Sequence, residues 1–293
     1  MRKAVLSHQK PQKVCAHRLI YNQVLTRQTT TMETEQLQSI YEQLTKGIKK
    51  YFKKAQIERA VIGVSGGVDS SLTLKLAVDA LGAENVTAIS MPETGISSQI
   101  NIDHAKGLCE ALNVTFFSQP INIFLKDFQN VPWHENSDQN KLAAQNTKAR
   151  IRAVLLYHYA NSEGALVLGT SNKSETLLGY GTKYGDLAAD LEVIGELYKD
   201  QVFALADYVG LPREIIEKPP TAELYEGQTD ESELGASYAQ LDPILKHIEK
   251  GLGENELIDR GINPVLVHAV LARIKKNKHK TAMPPTIKLK IND

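Results

Sequence analysis

Residues 63–71 read Gly63-Val64-Ser65-Gly66-Gly67-Val68-Asp69-Ser70-Ser71 and follow the apolar, largely β-branched run Ala60-Val61-Ile62. A strand that ends in small residues and passes straight into a periodic helix is where an α/β sheet holds phosphate groups. Gly66 and Gly67 admit dihedrals that a side chain forbids, so successive N–H groups can converge on an anion at the start of the next helix. Ser65, Ser70 and Ser71 add hydroxyl donors. From Asp69 onward, Leu72, Leu76 and Ala80, with Ala77 and Leu81, recur at spacings of three and four until Gly82, the expected C-cap. The turn therefore opens a buried helix.

A nucleotide loop of the Walker type carries Lys before its Ser or Thr, and here Asp69 takes that place. A carboxylate beside phosphates is repulsive unless a cation lies between them, so Asp69 reads as a Mg2+ ligand. Its other reading is a helix N-cap in a serine-rich turn. Placed after a strand, S-G-G-V-D-S resembles the signature of the PP-loop ATP pyrophosphatases, which cleave ATP between the α and β phosphates. The superfamily includes NAD, GMP and asparagine synthetases and tRNA-modifying enzymes.

With 42% hydrophobic and 23% charged residues over 293 positions, the chain can bury a sizeable core, as one large domain or two small ones. Its zero formal net charge gives no general drive toward nucleic acid or an anionic membrane. Cys15 and Cys109 are far apart and form no C-x-x-C, which argues for a reducing compartment and against a thiol relay or a zinc site. No stretch approaches the ~20 apolar residues that span a bilayer. The first 32 residues stand apart: they carry Arg2, Lys3, Lys10, Lys13, Arg18 and Arg27, and no acidic residue precedes Glu33. Such segments include transit peptides. With few Ser, and with Met32 just ahead of the first helical pattern, this one reads instead as a disordered extension or as translated upstream sequence. It is expected to be dispensable, leaving residues 33–293 as the functional domain.

Leu37, Ile40, Tyr41, Leu44, Ile48, Tyr51 and Phe52 predict an amphipathic helix from Met32 to Lys54, capped by Thr34. A second strand is expected over Asn85 to Met91, closed by Pro92, and the loop Glu93 to Ser98 then lies at a carboxyl end, where open α/β sheets place ligands. A helix from about Asn101 to Leu112, with Asp103 and His104 on its surface, leads to a third strand, Val114 to Ser118. Asn130 to Asn140 read as a loop around Trp133. Lys141 to Asn161 is helical, with Lys148, Arg150 and Arg152 as a solvated face. The fourth strand, Ala165 to Leu168, runs into Gly169-Thr170-Ser171-Asn172-Lys173-Ser174-Glu175. This alternation predicts an α/β fold with a doubly wound, Rossmann-like parallel sheet. The polar crossings after strands one and four would face one crevice.

The run from Gly169 to Asp190, G-T-S-N-K-S-E-T-L-L-G-Y-G-T-K-Y-G-D-L-A-A-D, closely resembles the NAD synthetases. So do K-A-R-I-R at Lys148 to Arg152, P-T-A-E-L at Pro220 to Leu224, D-E-S-E-L-G at Asp230 to Gly235, and the late pair His279 and Lys280. The resemblance runs from Met32 to the end of the chain and is to the ammonia-dependent form, without a glutaminase domain. It implies an enzyme that adenylates the nicotinic acid carboxylate of deamido-NAD and lets ammonia displace AMP, giving NAD, AMP and pyrophosphate. It also implies that Gly63, Val64, Ser65, Gly66, Gly67, Val68, Asp69 and Ser70, with Thr170, Lys199 and Thr221, hold ATP. Asp69 and Glu175 would bind Mg2+, and Lys199 would join them in catalysis. Arg150, Lys183, Asp190, His279 and Lys280 would bind deamido-NAD. A cytoplasmic homodimer is implied as well, with no nucleic-acid or membrane partner. Two positions depart from the pattern: Leu187 stands where glycine is common and Asp200 where a basic residue is common, and both bear on dinucleotide affinity.

Each carried-over residue has an ordinary alternative. Lys183 and Asp190 are also readable as loop charges, Arg150 as a solvated helix residue, and Lys275 to Lys280 as a basic helix end. Among other enzymes, a tRNA-modifying one is favoured by the basic tail and the Lys275 to Lys280 cluster, but paired cysteines and a recognisable RNA-binding module are lacking. A GMP or asparagine synthetase would bring a glutaminase. A non-catalytic nucleotide binder would be expected to lose Asp69 or Glu175, and both are present.

Overall fold

The computed structural model describes residues 32–132, 138–225 and 227–289. The basic stretch ahead of Met32, Cys15 and Trp133 lie outside the described residues. Five parallel strands form one sheet: β1 (Arg59–Gly63), β2 (Val86–Ser90), β3 (Thr115–Ser118), β4 (Ala165–Gly169) and β5 (Leu191–Glu192), in the order β3-β2-β1-β4-β5. The strand order reverses between β1 and β4, so a crevice opens at their carboxyl ends.

Parallel strands are covered on both faces, which is why β1 and β4 read as continuous apolar runs. Side chains alternate along them. Ala60 and Ile62 of β1 join one core with Val86 and Ala88 of β2 and Leu168 of β4. Val61 faces the opposite core with Ile89 and Val167. Over the first face lie α1 (Thr34–Ala55), α2 (Val68–Leu81) and α3 (Gln99–Ala111), and over the second α5 (Asp138–Glu163). The short α4 (Asn122–Leu125) follows β3.

Helix α2 is buried at Val68, Ser70 to Leu74, Leu76, Ala77 and Ala80, because α1 covers it on one side and α7 (Lys199–Tyr208) and α8 (Arg213–Ile216) on another. It ends at Gly82, whose φ of +87° is left-handed. The cap of α1 differs from expectation: Glu33 is the N-cap and makes no side-chain bond, while Thr34 is already helical. Helix α5 begins at Asp138, inside the stretch expected to be a loop. Strand β5 was not expected; two residues are too few to show a period. Beyond it, α6 (Lys173–Leu178), α9 (Asp230–Leu234), α10 (Tyr238–Glu249), α11 (Glu254–Asp259) and α12 (Pro264–Asn277) gather around a third apolar cluster of Leu178, Tyr198, Leu241, Ile244, Leu245, Leu257, Val267 and Val270. No described helix is long and apolar enough to cross a membrane. Burial pushes the Cys109 thiol up to about 12.

Candidate active site

The loop after β1 is wound on itself. Ser70 Oγ accepts from Ser65 N at 3.2 Å and donates to Gly67 O at 3.1 Å, while Ser65 Oγ accepts from Gly67 N at 3.2 Å. Gly66 has φ +74°, and a Cβ there would stand 2.1 Å from the carbonyl oxygen of Asn101 on α3, so only glycine fits. Gly67 is the N-cap of α2 and provides no side-chain cap. The first-turn N–H groups of α2, which have no intrahelical partner, are thus left to an anion. Asp69 is the second residue of the helix and does not cap it, which disposes of its N-cap reading.

The loop after β4 starts α6 with a capping box. Asn172 accepts from Glu175 N at 3.0 Å, and Glu175 Oε2 accepts from Asn172 N at 3.2 Å. Asn172 Nδ2 also donates across the crevice to Asp69 Oδ1 at 2.9 Å, tying the two loops together. Lys199, the first residue of α7 and 1% exposed, places its ammonium 2.5 Å from Asp69 Oδ2 and 3.2 Å from Glu175 Oε1. Three helix N-termini therefore deliver two carboxylates and one ammonium to a single point. Burial works against the Lys199 charge, but Asp69 and Glu175 more than offset it and hold the ammonium above its usual range. Burial pushes Glu175 up to about 8, against the pull of Lys199.

The N-termini of α6 and α7 are aligned by Asp242 of α10. Its Oδ1 accepts from Ser174 Oγ at 2.6 Å and its Oδ2 from Asp200 N at 2.9 Å, and Ser174 Oγ in turn accepts from Lys199 N at 2.9 Å. Burial, countered by these hydrogen bonds and by Lys246 but reinforced by Asp200, pushes Asp242 up to about 6. An unfolded Asp titrates near 3.9, so the stability linked to Asp242 is complete below that pH and is lost as pH rises through about 6. Asp242→Asn lacks that titration. The melting temperature of the variant relative to the parent should therefore rise between about pH 4 and pH 7, measured by thermal melts across that range; a constant difference would rule the linkage out.

A cavity of about 420 Å³ opens over the crevice, within the usual range for small-molecule sites. Gly63, Val64, Ser65, Gly67, Val68, Asp69, Ser70, Thr170, Glu175, Lys199 and Thr221 line it, with Gly66 turned against Asn101. Of the five residues assigned to the dinucleotide, Lys280 lines the cavity and donates to Gly179 O at 3.0 Å. Arg150, Lys183 and His279 gather beside it: Arg150 Nε donates to Lys183 O at 3.3 Å, and Lys183 Nζ to His279 O at 2.9 Å. Asp190 is not among the cavity residues. Its Oδ2 accepts from Val167 N at 2.8 Å and its Oδ1 from Tyr157 OH at 3.4 Å, bracing the edge of β4.

The solvated-face reading of Lys148, Arg150 and Arg152 holds only for exposed Arg150. Lys148 pairs with Glu93 at 2.6 Å and donates to Leu224 O, and Arg152 Nε donates to Met91 O at 2.9 Å. Asp200, one of the two departures, pairs with Lys246 at 2.5 Å, while the Leu187 side chain packs over Gly181 of the cavity wall. Sequence reasoning assigned no role to Asn172, Asp230, Lys218 or Arg273. Buried Asp230 accepts from Tyr180 and Tyr238 hydroxyls, each at 3.1 Å. It opens the D-E-S-E-L-G motif, and Lys218 precedes P-P-T-A-E-L, so motif position was the available signal.

A parallel sheet with its anion loop at the switch point, an acidic pair in place of a Walker lysine, and a glycine–serine turn define the class: an α/β nucleotide-binding protein of the PP-loop superfamily. Within it, a family profile described as NAD synthase matches residues 40–284. The NH3-dependent NAD+ synthetase of Methanocaldococcus jannaschii is 44% identical over 253 residues, 86% of this chain and 97% of the relative. That of Wolinella succinogenes is 42% identical, over 84% and 94%. Among solved structures, the NH3-dependent NAD synthetase of Campylobacter jejuni superposes with TM-score 0.73 at 36% identity, covering 88% of this chain and 100% of that one. The NMN synthetase of Francisella tularensis superposes with TM-score 0.76 at 28% identity, covering 86% and 99%. The chain belongs to the NAD synthase family.

Proposed function

We propose that the protein is an ammonia-dependent NAD+ synthetase, a carbon–nitrogen ligase of NAD biosynthesis. It uses ATP to adenylate the nicotinic acid carboxylate of deamido-NAD and ammonia to displace AMP, giving NAD, AMP and pyrophosphate. The observation that carries this reading is the meeting of Asp69, Glu175 and Lys199 above a phosphate loop that has no Walker lysine. Gly63 to Ser70, Thr170, Lys199 and Thr221 form the ATP site. Arg150, Lys183, Asp190, His279 and Lys280 bind the dinucleotide. The α2 N-terminus and the ammonium of Lys199 favour charge as it develops on phosphate oxygens, which is electrostatic catalysis rather than general-base work.

Mg2+ is the proposed cofactor. Two half-buried carboxylates that already converge on one cation fit a metal usually held by one or two carboxylates and substrate phosphates, and Asp69 and Glu175 are those ligands. When bound, Mg2+ supplies charge neutralisation at the triphosphate. Asn172 orients both carboxylates, one through its side chain and the other through its backbone N–H. A cytoplasmic homodimer, with no nucleic-acid partner, completes the proposal.

The test supplies purified protein with ATP, Mg2+, ammonium and either deamido-NAD or nicotinate mononucleotide. NAD, AMP and pyrophosphate should form in equal amounts from deamido-NAD. ADP as the stoichiometric product would overturn the assignment, and preferred turnover of the mononucleotide would move the protein to the activity named for the Francisella structure. Glutamine should be a poor nitrogen donor.

A further inference from the structure

The cations that line the cavity differ in what they face. Lys199 lies between two carboxylates, and Arg152, Arg273 and Lys280 donate to the backbone carbonyls of Met91, Glu233 and Gly179, away from the phosphate loop. Lys218 instead bonds to the backbone of the phosphate loop itself. Its Nζ donates to two neutral acceptors, Gly66 O at 2.9 Å and Asn101 Oδ1 at 2.6 Å, and among the described residues no carboxylate stands within ion-pair distance of it. Glu223 is one side chain removed, bonded to the Nδ2 of the same Asn101. Burial holds the Lys218 ammonium below its usual range, with Glu223 partly opposing. A half-buried ammonium with only neutral partners lacks the pairing that normally offsets desolvation.

Its position says what would supply that pairing. Gly66 is the residue of the phosphate loop whose left-handed φ turns it against Asn101, and Lys218 sits on that carbonyl while also lining the cavity. A lysine on the rim of an anion loop is a point charge suited to phosphate. We propose that Lys218 is a further catalytic residue, which binds the pyrophosphate part of ATP and takes up the charge that develops on it as it leaves. In that step a carboxylate oxygen of the acid substrate bonds to the α-phosphorus. The bond from the α-phosphorus to the bridging oxygen breaks, and its electron pair departs with pyrophosphate, so no proton need move. The inference rests on the adenylation reading given above.

The competing role is a strap, with Lys218 holding residues 218–224 on the loop by hydrogen bonds alone. Three variants separate the two: Lys218→Met removes charge and donors, Lys218→Gln keeps a donor without charge, and Lys218→Arg keeps charge. Binding of inorganic pyrophosphate with Mg2+ is measured by calorimetry, and exchange of labelled pyrophosphate into ATP is followed with deamido-NAD present. Met and Gln should both weaken pyrophosphate binding about tenfold or more, the size of a lost charge-assisted hydrogen bond, and slow exchange at least as much. Arg should recover most of both, and KM for ammonium should stay within about twofold. Pyrophosphate binding that is unchanged in Met, or restored by Gln and not by Arg, would overturn the proposal. Should Met fail to fold, the contrast between Gln and Arg decides it. Wild-type protein that binds pyrophosphate through Lys218 but exchanges none into ATP would refute the adenylation reading and leave the anion site standing.

Discussion

Asp69→Asn and Glu175→Gln are each expected to lower kcat by about two orders of magnitude or more, the effect of losing a preorganised electrostatic contact worth roughly 3 kcal/mol. Both substitutions keep shape and hydrogen bonding and delete charge, so the defect should appear in turnover and persist at saturating Mg2+. The fold should survive either one, because Lys199 keeps a carboxylate at 2.5 or 3.2 Å in each. The double variant separates activity from stability. If both ligands serve one ion, its kcat should be little worse than that of a single variant, as for residues that act as a unit. Its stability should fall out of proportion, because an ammonium that is 1% exposed is left with no carboxylate in ion-pair distance among the described residues. Multiplicative losses in kcat, or near-normal turnover of either single variant, would show that the carboxylates do not share a metal.

The part of the fold that carries this site was legible because its signals are local. The apolar strands and the Gly66-Gly67 turn place the loop without help from distant sequence, and strand–helix alternation gives the parallel sheet. The cap of α1 was misplaced by one residue, a matter of local chain entry that residue type does not decide. Lys148 and Arg152 were separable from Arg150 on period alone: positions four apart share a helix face, and the residue between them points away. Burial on the shared face then depends on Glu93 and the Met91 carbonyl, which lie on another element.

Lys218 and Asp242 were beyond local reading for a different reason. Lys218 meets Gly66 across 152 positions and Asp242 meets Ser174 across 68, and no period encodes which of many charged residues will be carried to such a place. Asp190 was readable from its motif alone, but the partners of its carboxylate oxygens within the protein, Val167 N and Tyr157 OH, lie on other elements and were not.

Lys199→Met is expected to give the other large effect, on stability first and turnover second. The ammonium is the only cation within ion-pair distance of Asp69 and Glu175 among the described residues. Without it two carboxylates converge in the crevice with only the neutral Asn172 joining them, a loss of about 3–5 kcal/mol when one member of a buried ionic set is removed. At roughly 2–4 °C per kcal/mol for a chain of this size, the melting temperature should drop by at least ~6 °C. Glu175 offers the protein one escape: burial already pushes it up to about 8, and removal of Lys199 takes away the charge that lowered it. Protonating it relieves the repulsion, so the loss should shrink as pH falls and grow as pH rises. A bound divalent cation offers a second escape. It binds the folded variant at the point where the charge is now uncompensated, and should raise the melting temperature of Lys199→Met more than that of the parent, by linkage. Turnover should stay depressed about 100-fold even then, because the ammonium that faces the phosphates is missing. Thermal melts of parent and variant, with and without Mg2+, at two pH values check each step. A variant as stable as the parent without Mg2+, or equal stabilisation of both by it, would mean that Lys199 and the metal do not answer to the same pair of carboxylates.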